Sequence, residues 1–340
     1  MKYTVFPVHK STLSGQALAD RVLSKYTLPV PISCKFLRQG VNDTYVVAAG
    51  SSTYYLRVYR YGWRTKAEIE AELDMLTYLQ RRHLPVSSPI KRKDGSVLTR
   101  IEAPEGVRYA VLFTNAPGRQ MDMDNKQSGA YGELAGKIHL SLDKTPEDAR
   151  RFHLDLSHLV DEPLAKIAPF LKHRSGDLDY LRKAGGELKA AIAELLPKAK
   201  PEYGYCHGDH HGWNVNIDKD GALSLYDFDC SGYGWRAYDL AVFLWNRTFD
   251  WSAKGKSKRT RRWNAFLSGY AKVRTLSPQE LRATEIFVPI RHLWLVGFHA
   301  QDAETGPRGW LDDGFFDREI GFIKRCIEAL QDLVRVSRVG

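Results

Sequence analysis

The sequence predicts an α+β protein of two lobes, a β-rich first lobe followed by a mainly helical second lobe that carries one embedded hairpin. Three observations lead there. At 340 residues the chain exceeds the size at which a single core stops growing. Its β-type segments are concentrated before residue 118, and helix-like periodicity dominates after it. The run "NVNIDKDGALSLYDFD" interrupts the helical half with two short apolar stretches around a turn at Asp218 to Gly221.

Taken in order, residues 33 to 60 read as two strands and their turns. "CKFLRQG" enters a polar turn at Gly40 to Asp43, and "TYVVAA", a Gly-Ser-Ser turn and "TYYLRVYR" follow. From Lys66 to Arg82, Ile69, Leu73, Leu76 and Leu79 recur at helical spacing until "LPVSSP" stops them. "YAVLFTNAPG" reads as a buried strand ending in a Pro-Gly break, which sets the expected lobes at 1–113 and 114–340. Beyond it, "YGELAGKIHLSL", "LRKAGGELKAAIAELLPKA", "YDLAVFLW", "PIRHLWLVGFHA" and "FFDREIGFIKRCIEALQDLV" carry helical patterns.

Composition narrows the class. The chain is 43% hydrophobic and 26% charged, without low-complexity tracts or repeats, as in an ordinary globular protein. Four scattered cysteines form no CxxC pair, so a reducing, cytoplasmic setting is expected and no disulfide framework. No apolar run of about 18 residues occurs, and the first residues lack a signal-type apolar core, so neither spanning nor secretion is expected. The net charge of +10 suits a nucleic-acid surface or an ATP site equally. Its densest part, "KGKSKRTRR", has six basic residues in nine but no interleaved aromatics, and reads as a solvated loop or helix start.

The chemistry concentrates at 205 to 239. In "YCHGDHHGWNVNI", Asp209 and Asn214 lie five apart, and Asp227 follows thirteen later beyond the hairpin turn. Phosphoryl transfer needs a group that orients the attacking hydroxyl and hard oxygen ligands for Mg²⁺. Spacing across a hairpin would bring Asp227 back beside Asn214 as a carboxylate and amide pair, with Asp209 facing the acceptor. Zinc held by Cys206, His207, His210, His211 and Cys230 is the competing reading, but no ligand spacing of the zinc type is present and the aspartate and asparagine would have no role. A Cys206 nucleophile activated by His207 is disfavoured because strand neighbours point to opposite faces. His139 reads as a core-facing helix residue.

"HGDHHGWN" with "LYDFD" resembles the motifs of the aminoglycoside phosphotransferase and choline kinase superfamily, which has the protein-kinase-like fold. The resemblance implies that Asp209 is the catalytic base, that Asn214 and Asp227 ligate Mg²⁺, and that His207 is a structural residue of the catalytic loop. Asp239 in "YDLAVFL" matches a family aspartate that buttresses this loop. Asp229 is either a further metal ligand or a capping residue. In the first lobe, "LRQGVNDTYVV" falls at the family's phosphate-covering turn, with Gly40 and Asn42 facing the nucleotide. Arg57 stands where the family usually has a lysine on the α and β phosphates, with Glu72 as its helix partner. The exchange replaces an ammonium with a planar fork. "VLFTNAPGR" is the expected hinge, the backbone of Phe113 to Asn115 reading adenine.

The resemblance covers roughly residues 33 to 330 and is closest to the branch of the stress-response kinase and the type II homoserine kinases. It implies transfer of the γ-phosphate of Mg-ATP to a hydroxyl of a small molecule: an amino-alcohol, a homoserine-like metabolite or an aminoglycoside-type antibiotic. A Ser/Thr protein kinase of the stress-response type and a nucleotide-binding pseudokinase are the alternatives. The segment 301–319, with six acidic residues against two arginines, could attract an amine-bearing acceptor. Trp294, His299 and Trp310 could line its pocket, with core packing as the plainer role. His210 and His211 stand where the acceptor preference could be written.

Overall fold

The computed structural model describes residues 6–245, 250–303 and 310–336. The chain divides into two compact units, one running to Arg119 and taking in Val215–Asp229, the other formed by Gln120–Asn214 and the chain from Cys230 onward.

The first unit is built on a five-stranded antiparallel sheet: β1 (Ile32–Gln39), β2 (Asp43–Ala49), β3 (Ser52–Val58), β4 (Thr99–Ala103) and β5 (Gly106–Thr114), in the order β1-β2-β3-β5-β4. Residues 33 to 60 therefore form three strands rather than two, because each of the two turns reverses the chain and starts a new strand. Alternation puts Tyr45, Val47, Leu56, Val58, Ala110 and Leu112 on one face, where they pack with Leu18 and Val22 from α1 (Gly15–Arg21) and its C-cap. The short helix α1 and β4 were not apparent from periodicity. Asp43 and Arg108, both essentially inaccessible, pair at 2.7 Å and tie β2 to β5.

Helix α2 (Lys66–Arg81) starts at a capping box in which Thr65 Oγ1 accepts the Glu68 amide and the Glu68 carboxylate accepts the Thr65 amide. Its buried face carries Ile69, Leu73, Leu76 and Leu79, with Glu72 among them. The hairpin Val215–Ile217 and Leu223–Leu225 belongs with this unit. The Leu225 amide donates to the Pro85 carbonyl at 2.8 Å, and Asn216 Nδ2 donates to the Ala116 carbonyl at 2.8 Å.

The second unit is helical: α3 (Asn125–Leu142), α4 (Glu162–Ile167), α5 (Ser175–Leu195), α6 (Arg236–Trp245), α7 (Ala253–Ala271), α8 (Pro278–Ala303) and α9 (Asp313–Val336). The basic run 254–262 is the start of α7. Backbones of α3 and α7 approach so closely that a Cβ on Gly132 would collide with the Phe266 carbonyl. Helix α8 is apolar on most sides and central, with Phe287, Ile290, Leu293 and Val296 buried. A three-stranded sheet of His153–Leu154, Gly232–Trp235 and Tyr203–Cys206 delivers the chain to the "HGD" loop. No helix among the described residues is long and apolar enough to cross a membrane.

Candidate active site

In the first unit, Arg57 on β3 is the centre of an ion-pair chain. Its Nη1 donates to Glu72 Oε1 at 2.9 Å and its Nη2 to Asp227 Oδ1 at 2.8 Å. Tyr59 Oη donates to the other Glu72 oxygen at 3.1 Å, and the guanidinium lies 5.0 Å from the Phe113 ring centre. Burial works against the charge of Arg57, yet Asp227 and the other anions around it push its pKa well up. Asp227 follows the second hairpin strand in the left-handed region, φ 66°, a conformation aspartate tolerates better than most residues. Its side chain stays about 35% exposed, so the carboxylate remains accessible.

Asp229, two residues on, is committed elsewhere. Its Oδ2 accepts Trp63 Nε1 at 2.6 Å, its carbonyl accepts Arg64 Nη2 at 3.1 Å, and it is buried. It anchors the segment between β3 and α2. Asn42 also serves the fold: its Oδ1 accepts the Arg60 amide at 3.0 Å, and its carbonyl accepts the Gly40 amide at 3.1 Å, which closes the β1–β2 turn. At the end of β5, the Thr114 amide donates to the Ser88 carbonyl at 2.9 Å and its carbonyl accepts Ser87 Oγ at 2.7 Å. Of the stretch Phe113 to Asn115, the middle residue is thus already used within the unit.

In the second unit the "HGD" loop hangs from one carboxylate. Asp239 on α6 accepts the His207 amide through Oδ2 at 2.6 Å and the Gly208 amide through Oδ1 at 2.7 Å, and also bonds His139 Nε2 at 3.0 Å. His139 Nδ1 contacts Tyr270 Oη at 2.8 Å. Burial would raise the Asp239 pKa, but the His139 hydrogen bond and the surrounding imidazoles hold it well below the carboxylate range. Burial and nearby Arg236 bring His139 down to about 4. Gly208 has φ 77°, and a Cβ there would collide with the Cys230 carbonyl.

This loop presents Asp209. Its Oδ2 accepts Asn214 Nδ2 at 3.0 Å and faces His211 Nε2 at 3.2 Å, and its Oδ1 pairs with Arg291 Nη2. Burial opposes its charge, yet His211 and Arg291 keep it ionised, its pKa far below the usual range. With Nδ2 of Asn214 on Asp209, the amide oxygen is the atom left for a ligand. His207 is buried, and its Nδ1 accepts the Asp209 amide at 3.2 Å. The adjacent histidines diverge: His211 meets Asp209, whereas His210 stacks on Tyr131 at 4.4 Å with both ring nitrogens buried and unbonded.

The competing chemistries lose their support. Cys206 is buried, donates its thiol to the carbonyls of Gly234 and Trp235, and has its pKa driven well up by burial. His139, Cys206 and Asp239 cluster closely, but His139 and Asp239 are spent on each other and on Tyr270 and the loop amides. In the acidic segment, Asp313 and Asp317 pair with Arg174, Asp313 also contacts His173, and Glu319 contacts His292; residues 304–309 lie outside the described residues. Trp310 packs edge-on to His299 and Phe315, and Trp294 stacks on Phe298.

Sequence reasoning missed Arg291 and its bond to Asp209. The available signal was a strong cation inside the apolar run "FVPIRHLWLVGF", since a buried guanidinium requires a buried partner.

The model of the phosphotransferase enzyme family matches residues 33–276. The chain belongs to this family of phosphotransferases. An uncharacterised protein of Deinococcus radiodurans is 36% identical over 318 residues, covering 94% of this chain and 91% of that protein. A homoserine kinase of Caulobacter vibrioides is 29% identical over 78% of this chain and 81% of its own. Among solved structures, an amicoumacin kinase in complex with AMP-PNP, Ca²⁺ and Ami superposes with a TM-score of 0.75 at 21% identity, covering 94% of each chain. The phosphotransferase thus has the protein-kinase-like fold, with an antiparallel first lobe and a helical second one. Its named relatives include an amicoumacin kinase and homoserine kinases.

Proposed function

We propose that the chain transfers the γ-phosphate of Mg-ATP to a hydroxyl of a small molecule, with Asp209 as catalytic base. The observation that carries this reading is Asp209 itself: an ionised carboxylate at the tip of a loop whose two preceding amides are fixed by Asp239. The homoserine kinase and the amicoumacin kinase among its relatives support a small acceptor over a protein. A nucleotide analogue and a divalent ion in the amicoumacin kinase complex support the nucleotide half of the reading.

Asn214 and Asp227 are hard oxygen donors, which suits Mg²⁺ and not zinc, and each keeps an oxygen clear of its bond to Asp209 or Arg57. Bound there, the metal would neutralise charge on the phosphates. Arg57 supplies a fixed cation for the α and β phosphates, held in orientation by Glu72. Gly40 covers the phosphates from the β1–β2 turn, and Asn42 keeps that turn closed. Near the hinge, the backbone beside Phe113 and Asn115 receives adenine. Asp209 orients the acceptor hydroxyl and takes its proton as the new O–P bond forms.

The test is ADP release from Mg-ATP with a panel of homoserine, 1-amino-2-propanol and aminoglycosides, and with casein as a protein acceptor. Turnover with a panel compound and not with casein is expected. Asp209→Asn should lower turnover at least about 10²-fold while ATP affinity is retained. Asp227→Asn should raise the Mg²⁺ requirement. Phosphate transfer to casein or to the chain itself would instead establish the protein-kinase alternative, and ATP binding without any transfer would establish a pseudokinase.

A further inference from the structure

The carboxylate of Asp209 is met by three donors, and the third comes from far along the chain. Oδ2 receives Asn214 Nδ2 and His211 Nε2, and Oδ1 receives Arg291 from the middle of α8. A carboxylate offers about four lone-pair sites, two on each oxygen. Two are used on Oδ2 and one on Oδ1, so a single position remains, on the oxygen that Arg291 holds.

Arg291 is itself held rigidly. Its side chain is 3% exposed and lies against two indoles, 5.2 Å from the Trp245 ring centre and 4.6 Å from that of Trp294. Its Nη1 reaches Tyr238 Oη and the Gly208 carbonyl, both at 3.4 Å, so the same guanidinium touches the loop backbone just before Asp209. Its Nε is buried without a hydrogen-bond partner. For packing alone this is a poor choice, since an apolar side chain of similar volume would avoid the desolvation cost and the orphaned donor. The cost is explicable where the charge is needed on Asp209.

We propose that Arg291 is a positioning residue for Asp209, fixing its carboxylate so that the one open lone pair, on Oδ1, meets the acceptor hydroxyl. This rests on the reading of Asp209 as the base. The acceptor oxygen bonds to the γ-phosphorus as the bridging oxygen departs with ADP, and the acceptor proton passes through Oδ1 to solvent. Without the Arg291 clamp, Asp209 would be held only through Oδ2, and Oδ1 would be free to swing.

The experiment measures ADP release from Mg-ATP with any panel compound that turns over and with water as acceptor, for wild type, R291A, R291K and D209N. R291A is expected to lower kcat about 10²-fold, the loss typical of a misplaced reacting group, and to leave the KM for ATP within about twofold. Added methylguanidinium should restore a large part of that kcat, and R291K should fall between wild type and R291A. ATP titration and cooperative melting establish that each variant folds; where R291A does not, R291K carries the test. Wild-type kcat in a folded R291 variant overturns the proposal, as does a loss shared between kcat and KM that methylguanidinium leaves unchanged. If D209N keeps its turnover, or wild type shows none with any acceptor, the base reading itself fails. An inert D209N beside normal R291 variants removes only the role of Arg291.

Discussion

Arg57 Nη2 donates to Asp227 Oδ1 at 2.8 Å while the other terminal nitrogen of the same guanidinium holds Glu72. The two carboxylates are reached by two different atoms, which the planar fork allows and a single ammonium does not. Arg57→Lys should therefore lose one charged hydrogen bond, about 1.5–3 kcal/mol. If that loss falls on the transition state, kcat/KM for ATP drops roughly tenfold or more. Steady-state kinetics with varied ATP give the answer, and a lysine variant as fast as wild type would show that the site does not depend on the fork.

Asp239 serves as acceptor for two loop amides and bonds His139, all buried. Asp239→Ala strands these groups and should cost at least about 3 kcal/mol, since each buried donor left alone costs about 1–3 kcal/mol. Asp239→Asn, which keeps one acceptor oxygen, should cost less. Urea unfolding of both variants decides this, and an alanine variant with a wild-type midpoint contradicts the buttress.

The buried histidines set a sign for the pH dependence of stability. His139 is brought down to about 4 and His210 to about 3, in each case mainly by burial, from an ordinary value near 6.5. Between pH 6.5 and 4 the unfolded chain binds these protons and the folded chain does not, so stability is complete above 6.5 and falls as pH drops. Urea midpoints should decline from pH 7 to pH 5, and a flat or rising midpoint would refute the assignment. In His210→Phe, the ring stack on Tyr131 is kept and two unbonded buried nitrogens are removed, so the variant should equal or exceed wild type, most clearly at pH 5.

Gly208 tests the loop geometry directly. With φ 77° and the Cys230 carbonyl where a Cβ would sit, Gly208→Ala should destabilise by roughly 2–4 kcal/mol from strain and overlap. A thermal midpoint unchanged from wild type would show that the loop adopts another conformation.

Much of the fold was readable because its signals are local. The stripe Ile69, Leu73, Leu76, Leu79 marked α2, and the turn at Asp218 to Gly221 marked the hairpin, since apolar spacing and turn residues act within a few positions. A residue that sequence could not sort was Asp229, just past the hairpin, offered as ligand or cap. Its partners Trp63 and Arg64 lie more than 160 positions earlier in the chain.

The available chemistry is written along the chain: the order His207, Asp209, Asn214, Asp227, Asp239, an arginine in the place of a lysine, and no thiol spacing for zinc. These follow from residue type and short-range spacing. How these groups are used depends on the three-dimensional packing. It sent His211 to Asp209 and His210 into an aromatic stack, gave Asp239 two amides to hold, and brought Arg291 to the carboxylate from 82 positions away. Such partnerships depend on which helices bury which faces together, and a buried charge finds its counterpart in space, where distance along the chain carries no information.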